Sequence, residues 1–206
     1  MTSESAYTIS ASRSASKQRI YNAAAELFME KGFSATSMRD IASSVGLLPS
    51  SLYSHIRSKQ ELLRDICFEC GTKFLEGIDA IQTKNDRSEE KVINLIRLHV
   101  TVAREDVTSM TVFNDEWRHL EEPLLGEFRQ MRKTYEGKCL DILRGGVSKG
   151  DFRAVNEYVA LNVILNSTIW VRKSKQLQSL DPDALTADIG DVILNGLSNK
   201  THDPIQ

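Results

Sequence analysis

Apolar residues recur every three or four positions along most of the chain, and this spacing constrains the fold more than any other feature. Gly32 follows the first such stripe as the expected end of a helix. The stripe consists of Ile20, Ala23, Ala24, Leu27 and Phe28. No segment shows the alternation of apolar and polar residues that is typical of a strand. The chain is therefore predicted to be all-α, with about nine helices.

Several helix starts lie close together near the N-terminus. Ser37 and Asp40 form a capping-box pattern that opens a short helix, and Gly46 ends it. Pro49 suits the first turn of the next helix, and a second capping-box pattern then opens a longer one. Two short helices joined by a glycine turn are typical of a helix-turn-helix unit, which here would span residues 37–56.

The domain organisation follows from these helix signals. We predict a flexible tail at residues 1–15 and a three-helix DNA-binding domain of the helix-turn-helix type at 16–62. Residues 63–199 are predicted to form a helical domain for ligand binding and dimerisation, and 200–206 a flexible end. At 41% hydrophobic residues, the chain of 206 residues can bury a sizeable core.

The segment Ile41–Gln60 contains no Asp or Glu, although about a quarter of the whole chain is charged. A net charge of −2 argues against a protein that coats polyanions, so any DNA contact must come from a local patch such as this one. Its second helix offers Ser50, Ser51, Ser54 and His55 to a groove, with Arg57 and Lys59 available for phosphates. Periodicity alone leaves open a helical hairpin with a neutral surface.

The segment from Lys17 to Leu63 resembles the N-terminal domain of the TetR family of transcriptional regulators. It contains RIYNAAAELFMEKGFSATSMRDIASSVGLLPSSLYSHIRSKQELL, which follows the family order A-x-x-L-F, K-G-F, T-S-x-x-x-I-A, V-G and L-Y-x-H-x-x-x-K-x-x-L. Two positions depart from that pattern: Leu48 replaces a frequent Ser, and Ile56 replaces a Phe. The resemblance implies a transcriptional regulator, most often a repressor, whose dimer binds a palindromic operator.

The same resemblance assigns individual residues to DNA binding. The backbone phosphates would be held by Thr36, Ser37, Tyr53, His55 and Lys59. Positions facing the bases would be Pro49, Ser50, Ser51 and Ser54, and Arg39 would also reach DNA. From the residues alone, Tyr53 could instead be a core aromatic residue and Lys59 an ordinary solvated lysine.

Two helices of the C-terminal part predict a homodimer. The segment from Asn156 to Arg172 is apolar nearly all round, and a helix of this kind must be covered on several sides. The last helix carries Leu185, Ile189, Val192, Ile193 and Leu197. Together the two helices could pack against a second copy, as TetR-like proteins typically do, although a monomer core would use the same residues.

An effector site is predicted mainly between Ser109 and Tyr135, where Met and aromatic residues alternate with Arg and Asn. The segment FNDEWRHLEEPLLGEFRQMRKTYE, with RGGVSKGDFR after it, resembles the ligand-binding domain of acyl-CoA-responsive TetR regulators. That resemblance implies a small amphipathic effector such as an acyl-CoA thioester. Where that branch often has aromatic residues after the tryptophan at 170, this chain has Val171-Arg172-Lys173-Ser174.

The predicted ligand-binding residues share apolar, aromatic or cationic character. They are Met110, Phe113, Asn114, Trp117, Arg118, Phe128, Met131, Arg132, Tyr135, Asn166 and Trp170. Arg172 is a further candidate for a phosphate or carboxylate contact. Such stripes are often simply core, and a multidrug-type efflux repressor with a hydrophobic drug ligand is the alternative interpretation.

The remaining patterns argue against catalysis. Cys67 and Cys70 form a C-x-x-C that leaves a thiol or metal sensor open, although buried structural cysteines are favoured. We expect no enzyme activity, no cofactor and no metal. The few cysteines, the lack of a signal-like N-terminus and the lack of a long apolar run predict a cytoplasmic protein with no membrane partner.

Overall fold

The computed structural model describes residues 14–197, and these residues form helices joined by short turns, with no β-strand. The all-α prediction is therefore confirmed. The helices are α1 (Ala15–Lys31), α2 (Met38–Ser44), α3 (Pro49–Leu52), α4 (Lys59–Thr83), α5 (Ser88–Glu105), α6 (Val107–Asp115), α7 (Leu124–Lys149), α8 (Glu157–Lys173), α9 (Lys175–Ser179) and α10 (Pro182–Leu197), and a 3-10 turn spans Trp117–His119. The described part thus has ten α-helices, and the unforeseen α9 is too short to show helical periodicity.

The two chain ends were predicted to be flexible. Residues 1–13 and 198–206 lie outside the described part, so most of that prediction falls beyond it. Ser14 and Ala15 do lie inside it: Ser14 caps α1, its Oγ accepting the N–H of Lys17 at 3.3 Å. The first helix therefore begins at Ala15, within the segment 1–15 that was predicted to be a flexible tail.

The helix-turn-helix forms where the capping pattern and the glycine placed it. Ser37 Oγ accepts the N–H of Asp40 at 3.1 Å, and a carboxylate oxygen of Asp40 accepts the N–H of Ser37 at 2.8 Å. Gly46 follows α2 at a φ of +69°, a left-handed conformation that glycine adopts without strain. The N–H of Leu47 then reaches back to the carbonyl of Ala42 at 2.9 Å, closing the turn before α3.

Two glycines lie inside α7 without ending it. The helix runs through Gly145 and Gly146 to Lys149, and Gly150 at a φ of +78° ends it. Gly146 is required for packing, because a Cβ there would lie 2.2 Å from the ring of Phe152. A glycine inside a helical pattern can therefore mark a position where another side chain packs closely against the helix, rather than the end of the helix.

The described chain divides into two compact units. The first contains the described residues up to Lys73 together with Asp106–Arg132, and the second contains Phe74–Glu105 together with the described residues from Lys133 onward. Residues 63–73 and 106–132 thus group with the helix-turn-helix segment, although the sequence placed them in the C-terminal domain. The second unit is built mainly from α5 packed against α8 and α10.

None of the helices in residues 14–197 combines the length and hydropathy needed to cross a membrane.

Candidate nucleic-acid interface and effector cluster

The start of α3 presents a polar face to solvent. Leu52 and Ile56 are at most 1% exposed and anchor this segment in the core of the first unit. The N–H groups of His55 and Ile56 both donate to the carbonyl of Leu52, so helical bonding continues past α3. Eight of the ten residues predicted to bind DNA are exposed around this anchor: Ser37, Arg39, Pro49, Ser50, Ser51, Tyr53, Ser54 and His55.

The other two predicted residues, Thr36 and Lys59, form hydrogen bonds to backbone carbonyls in the turn before α2. Thr36 is 2% exposed, and its hydroxyl donates to the carbonyl of Gly32 at 2.9 Å. The Lys59 ammonium donates to the carbonyls of Phe33 at 2.6 Å and Thr36 at 2.7 Å, and lies 4.2 Å from the centre of the Phe33 ring. Burial lowers the pKa of Lys59 from its ordinary value. The ammonium therefore holds the turn that leads into α2.

A cleft of about 590 Å³ opens beside the exposed face. Tyr53 and His55 line it together with the cationic residues Lys17, Arg57 and Arg64. Glu61 organises this surface, because its carboxylate accepts the N–H of Arg57 at 2.8 Å and pairs with the Lys17 ammonium at 3.4 Å. Helical spacing does not predict the pairing of Lys17 with Glu61, because 44 residues separate them.

Leu48 occupies the N-cap position of α3 and makes no side-chain capping bond. Its side chain is 71% exposed. Because a leucine has no acceptor for the N–H groups at a helix start, α3 lacks the bond that a serine there would supply.

The predicted effector residues of the first unit form an aromatic cluster around Phe128. The rings of Phe68, Phe113 and Trp117 have centroids 5.6, 5.6 and 5.7 Å from that of Phe128, which is fully buried. Met110 and Met131 are also buried, and the amide of Asn114 donates to the carbonyl of Met110. Phe68 was missed from the sequence, because the apolar stripe of α4 does not indicate which residue its rings meet.

Two guanidinium groups lie against Trp117. The Arg118 guanidinium carbon is 4.5 Å and that of Arg132 5.1 Å from the centre of the Trp117 ring. Arg118 is exposed, whereas Arg132 and Trp117 are half-buried. Two guanidinium groups therefore adjoin the aromatic cluster (Phe68, Phe113, Trp117 and Phe128), an arrangement that suits an anionic group next to an apolar one.

Glu116 joins the neighbourhood of this cluster to the turn before α2. A carboxylate oxygen of Glu116 accepts the N–H of Phe33 at 2.9 Å. The ring of His119 stacks on Phe33 with centroids 5.6 Å apart, and the Gln60 amide donates to the carbonyl of His119 at 2.7 Å. Trp117 is next to Glu116 in the chain, so an aromatic residue of the cluster adjoins a hydrogen bond to the helix-turn-helix segment.

The other predicted ligand residues lie in the second unit, in two different settings. Tyr135 is buried and its hydroxyl is 2.7 Å from His99 Nε2, with Phe74 beside both rings. Burial lowers the pKa of His99 to about 4. Asn166 is exposed and Trp170 is 64% exposed, so neither side chain is enclosed with Tyr135. Arg172, in contrast, is buried.

One face of α8 leaves apolar side chains in solvent. Val159 is 61%, Val163 54% and Trp170 64% exposed, and Val192 of α10 is 76% exposed. A groove of about 530 Å³ runs beside Val159, Val163 and Val192. A contiguous apolar surface exposed to solvent often marks a site that binds a partner.

Comparison with known proteins shows which family the chain represents. Residues 20–66 match the model of bacterial regulatory proteins of the tetR family, and residues 85–197 match the tetracyclin repressor-like C-terminal domain. The C-terminal match alone covers more than half of the 206 residues.

The chain belongs to the TetR family. The HTH-type transcriptional repressor KstR2 of Rhodococcus jostii strain RHA1 is 29% identical to it over 198 residues, covering 91% of this chain and 93% of the relative. The structure of the ketosteroid transcriptional regulator KstR2 of Mycobacterium tuberculosis has a TM-score of 0.84 at 21% identity, covering 91% of this chain and 97% of that one.

A third similar protein is AibR, solved in complex with isovaleryl coenzyme A and operator DNA. Its TM-score is 0.73 at 21% identity, over 88% of this chain and 97% of that one, so the likeness shows the fold. As a member of the TetR family, this chain is a DNA-binding transcriptional regulator and not an enzyme.

The cysteines of this TetR-family regulator have the properties of structural residues. Cys67, Cys70 and Cys139 are all buried. Burial raises the pKa of the Cys67 thiol, and raises those of Cys70 and Cys139 to about 12, so the reactive thiolate is scarce at neutral pH. Residues 14–197 contain no group of three or more His, Cys, Asp or Glu side chains arranged to hold a metal ion.

Proposed function

We propose that this protein is a repressor whose dimer binds a palindromic operator and releases it when a small amphipathic effector binds. The observation that carries the proposal is the exposed, acid-free polar face around α3, held by the buried Leu52 and Ile56. A face of this kind can approach phosphates and base edges without charge repulsion. The relative from Rhodococcus jostii, described as a transcriptional repressor, supports the direction of regulation.

The dimer would form through the exposed apolar face of α8 and α10. Val159, Val163 and Trp170 follow one another along α8 at helical spacing, and Val192 extends the surface onto α10. Packing this face against its own copy buries the same residues twice, which is how a two-fold interface forms. A two-fold dimer also presents two recognition helices to the two halves of a palindrome.

Lys59 is assigned a positioning role in DNA binding. Its ammonium is bound to the carbonyls of Phe33 and Thr36, so it orders the turn that delivers Ser37 and the start of α2. Phosphate contact would then come from exposed groups such as Arg39, Tyr53 and His55.

The effector would be an amphipathic anion, of which an acyl-CoA thioester is the main candidate. Arg118 and Arg132 offer guanidinium groups beside the Trp117 ring, while Phe113 and Phe128 provide an apolar interior. AibR, which shares the fold, was solved with isovaleryl coenzyme A. Two cations beside the aromatic cluster disfavour the cationic drugs that a multidrug-type efflux repressor would bind.

Release requires that the effector and DNA favour different conformations. The hydrogen bond from the Phe33 N–H to Glu116 connects the turn before α2 with the residue next to Trp117 of the aromatic cluster. An effector that moves Trp117 would disturb Glu116, the next residue, and hence the turn before α2. The DNA-bound arrangement would then be less populated.

The proposal is tested by two measurements on the full chain. A gel shift with the DNA upstream of its own gene should show a specific complex at physiological salt, and equal binding to random duplex of the same length would contradict the repressor model. Thermal shift with acyl-CoA thioesters, free acids and lipophilic cations then tests the effector. Stabilisation by thioesters is expected, and stabilisation by cations alone would favour the efflux repressor.

A further inference from the structure

Leu48 holds an aliphatic side chain in solvent at the start of α3. It is 71% exposed, whereas Ile41, Leu52 and Ile56 of the same segment are at most 1% exposed. A single exposed leucine is ordinary on a protein surface, but this one occupies the N-cap position, where a polar residue would stabilise the helix. Leu48 therefore forms no capping hydrogen bond at the start of α3, and its side chain exposes an apolar group to solvent.

The surroundings of Leu48 leave this group accessible. Pro49, Ser50 and Ser51 follow it and are all exposed, and the two serine side chains are short. The N-terminal residues of a recognition helix are those that meet base edges when the helix enters the major groove. With no Asp or Glu between residues 41 and 60, the Leu48 side chain can approach the groove floor together with these neighbours.

The major groove offers an aliphatic side chain one favourable partner. Its floor presents hydrogen-bond donors and acceptors at every base pair, and thymine alone adds a C5-methyl group that projects into the groove. A leucine placed over the polar edge of another base would desolvate that edge without replacing its hydrogen bonds. Apolar contact therefore discriminates in favour of thymine.

We propose that Leu48 reads a thymine in each half of the operator through contact with its 5-methyl group. The inference rests on the proposed function, since it requires that α3 enters the major groove. Loss of one buried methyl group weakens an apolar contact about fourfold, and loss from both half-sites of a dimer complex about fifteenfold.

The test uses thymine and deoxyuridine, which pair alike and differ only in this methyl group. The purified full chain first selects a duplex from a random library, without effector and at physiological salt. Each symmetric pair of thymines is then replaced by deoxyuridine, and Kd is measured for the wild type and for Leu48→Ser. Leu180→Ser is the matched control, because Leu180 is also an exposed leucine but lies in the second unit.

One pair of replacements is expected to weaken binding of the wild type and of Leu180→Ser about fifteenfold, and that of Leu48→Ser less than about twofold. The inference is overturned if no replacement weakens the wild type, if Leu48→Ser loses the same factor, or if the selected half-site contains no thymine. Failure to enrich any sequence would instead overturn the proposed repressor function, and this inference with it. Thermal melting of Leu48→Ser confirms that the variant is folded.

Discussion

The two units differ in the side chains that part of each surface exposes to solvent. The first buries Leu52 and Ile56 and exposes polar residues around α3, with cationic groups beside its aromatic cluster. The second exposes Val159, Val163 and Trp170, and encloses the hydrogen-bonded pair of His99 and Tyr135.

This difference indicates which partner each unit suits. A polar, acid-free surface gains contacts from a charged and hydrated partner such as DNA. An apolar surface gains only when water leaves it, which a second copy of the chain would achieve. Both surfaces are exposed, so exposure alone does not distinguish them. The polar or apolar character of the exposed atoms does.

The largest effect is expected from a charge on the apolar face of the second unit. In Val163→Glu, two copies would have to bury an uncompensated carboxylate, which costs at least about 3 kcal/mol and weakens the dimer by more than about 100-fold. Sedimentation should show monomers that no longer bind a two-half-site duplex cooperatively. Thr101→Glu places the same charge on an exposed position of α5 and should leave the dimer intact. A dimeric Val163→Glu would contradict the assignment of this face.

A smaller effect concerns the buried pair of the second unit and depends on pH. His99 has a folded-state pKa of about 4, below the unfolded value of about 6.5. Between these values the unfolded chain binds a proton that the folded chain excludes, so the free energy of unfolding falls as the pH falls. Relative to its value at high pH, the free energy of unfolding should fall by about 2 kcal/mol at pH 5, and most of this loss should arise below pH 6.5.

Urea denaturation from pH 5 to 7 measures this dependence. His99→Gln removes the titrating group and should flatten the slope, even though it lowers stability at neutral pH. Leu95→Val, a core substitution in the same unit, should lower stability while keeping the slope of the wild type. A slope in His99→Gln equal to that of the wild type would show that His99 is not the cause.

In the first unit, Lys59→Met tests whether this lysine positions the turn or binds phosphate. The methionine keeps an apolar stem near Phe33 but loses the bonds to the carbonyls of Phe33 and Thr36. DNA binding should weaken about tenfold with little change in its salt dependence, because that dependence counts phosphate contacts. The exposed Arg39 is the control, since Arg39→Met should reduce the salt slope. An equal reduction in Lys59→Met would show direct phosphate contact.

The smallest effect is expected for coupling within the first unit. Glu116→Ala removes the carboxylate that accepts the N–H of Phe33. The ratio of DNA affinities without and with an acyl-CoA effector should shrink about fivefold, near the lower end of usual coupling energies. Titrations of both ligands against Glu116→Ala and the exposed control Glu121→Ala measure it. If both variants keep the wild-type ratio, the coupling does not pass through Glu116.

Local sequence patterns were sufficient for the helix-turn-helix. The capping box of Ser37 and Asp40, the glycine turn at Gly46 and the proline at the start of α3 act within a few residues, so they can be read in order. The buried residues Leu52 and Ile56 likewise lie four positions apart, at helical spacing, whereas α8 is apolar nearly all round and its spacing specified no buried face. Gly146 shows where such reading fails, because its partner Phe152 becomes visible only once α7 ends and the chain turns back.

The sequence by itself determined the all-α class, the helix-turn-helix, the TetR resemblance and most members of the aromatic cluster, because these depend on local spacing and residue type. Only the tertiary structure decided that the Lys59 ammonium holds a turn, that Glu116 meets Phe33, and that Trp170 faces solvent while Tyr135 meets His99. Each of these contacts joins positions far apart in the chain or depends on how helices pack. Helical periodicity specifies which side of a helix is buried, but it does not specify what lies against that side.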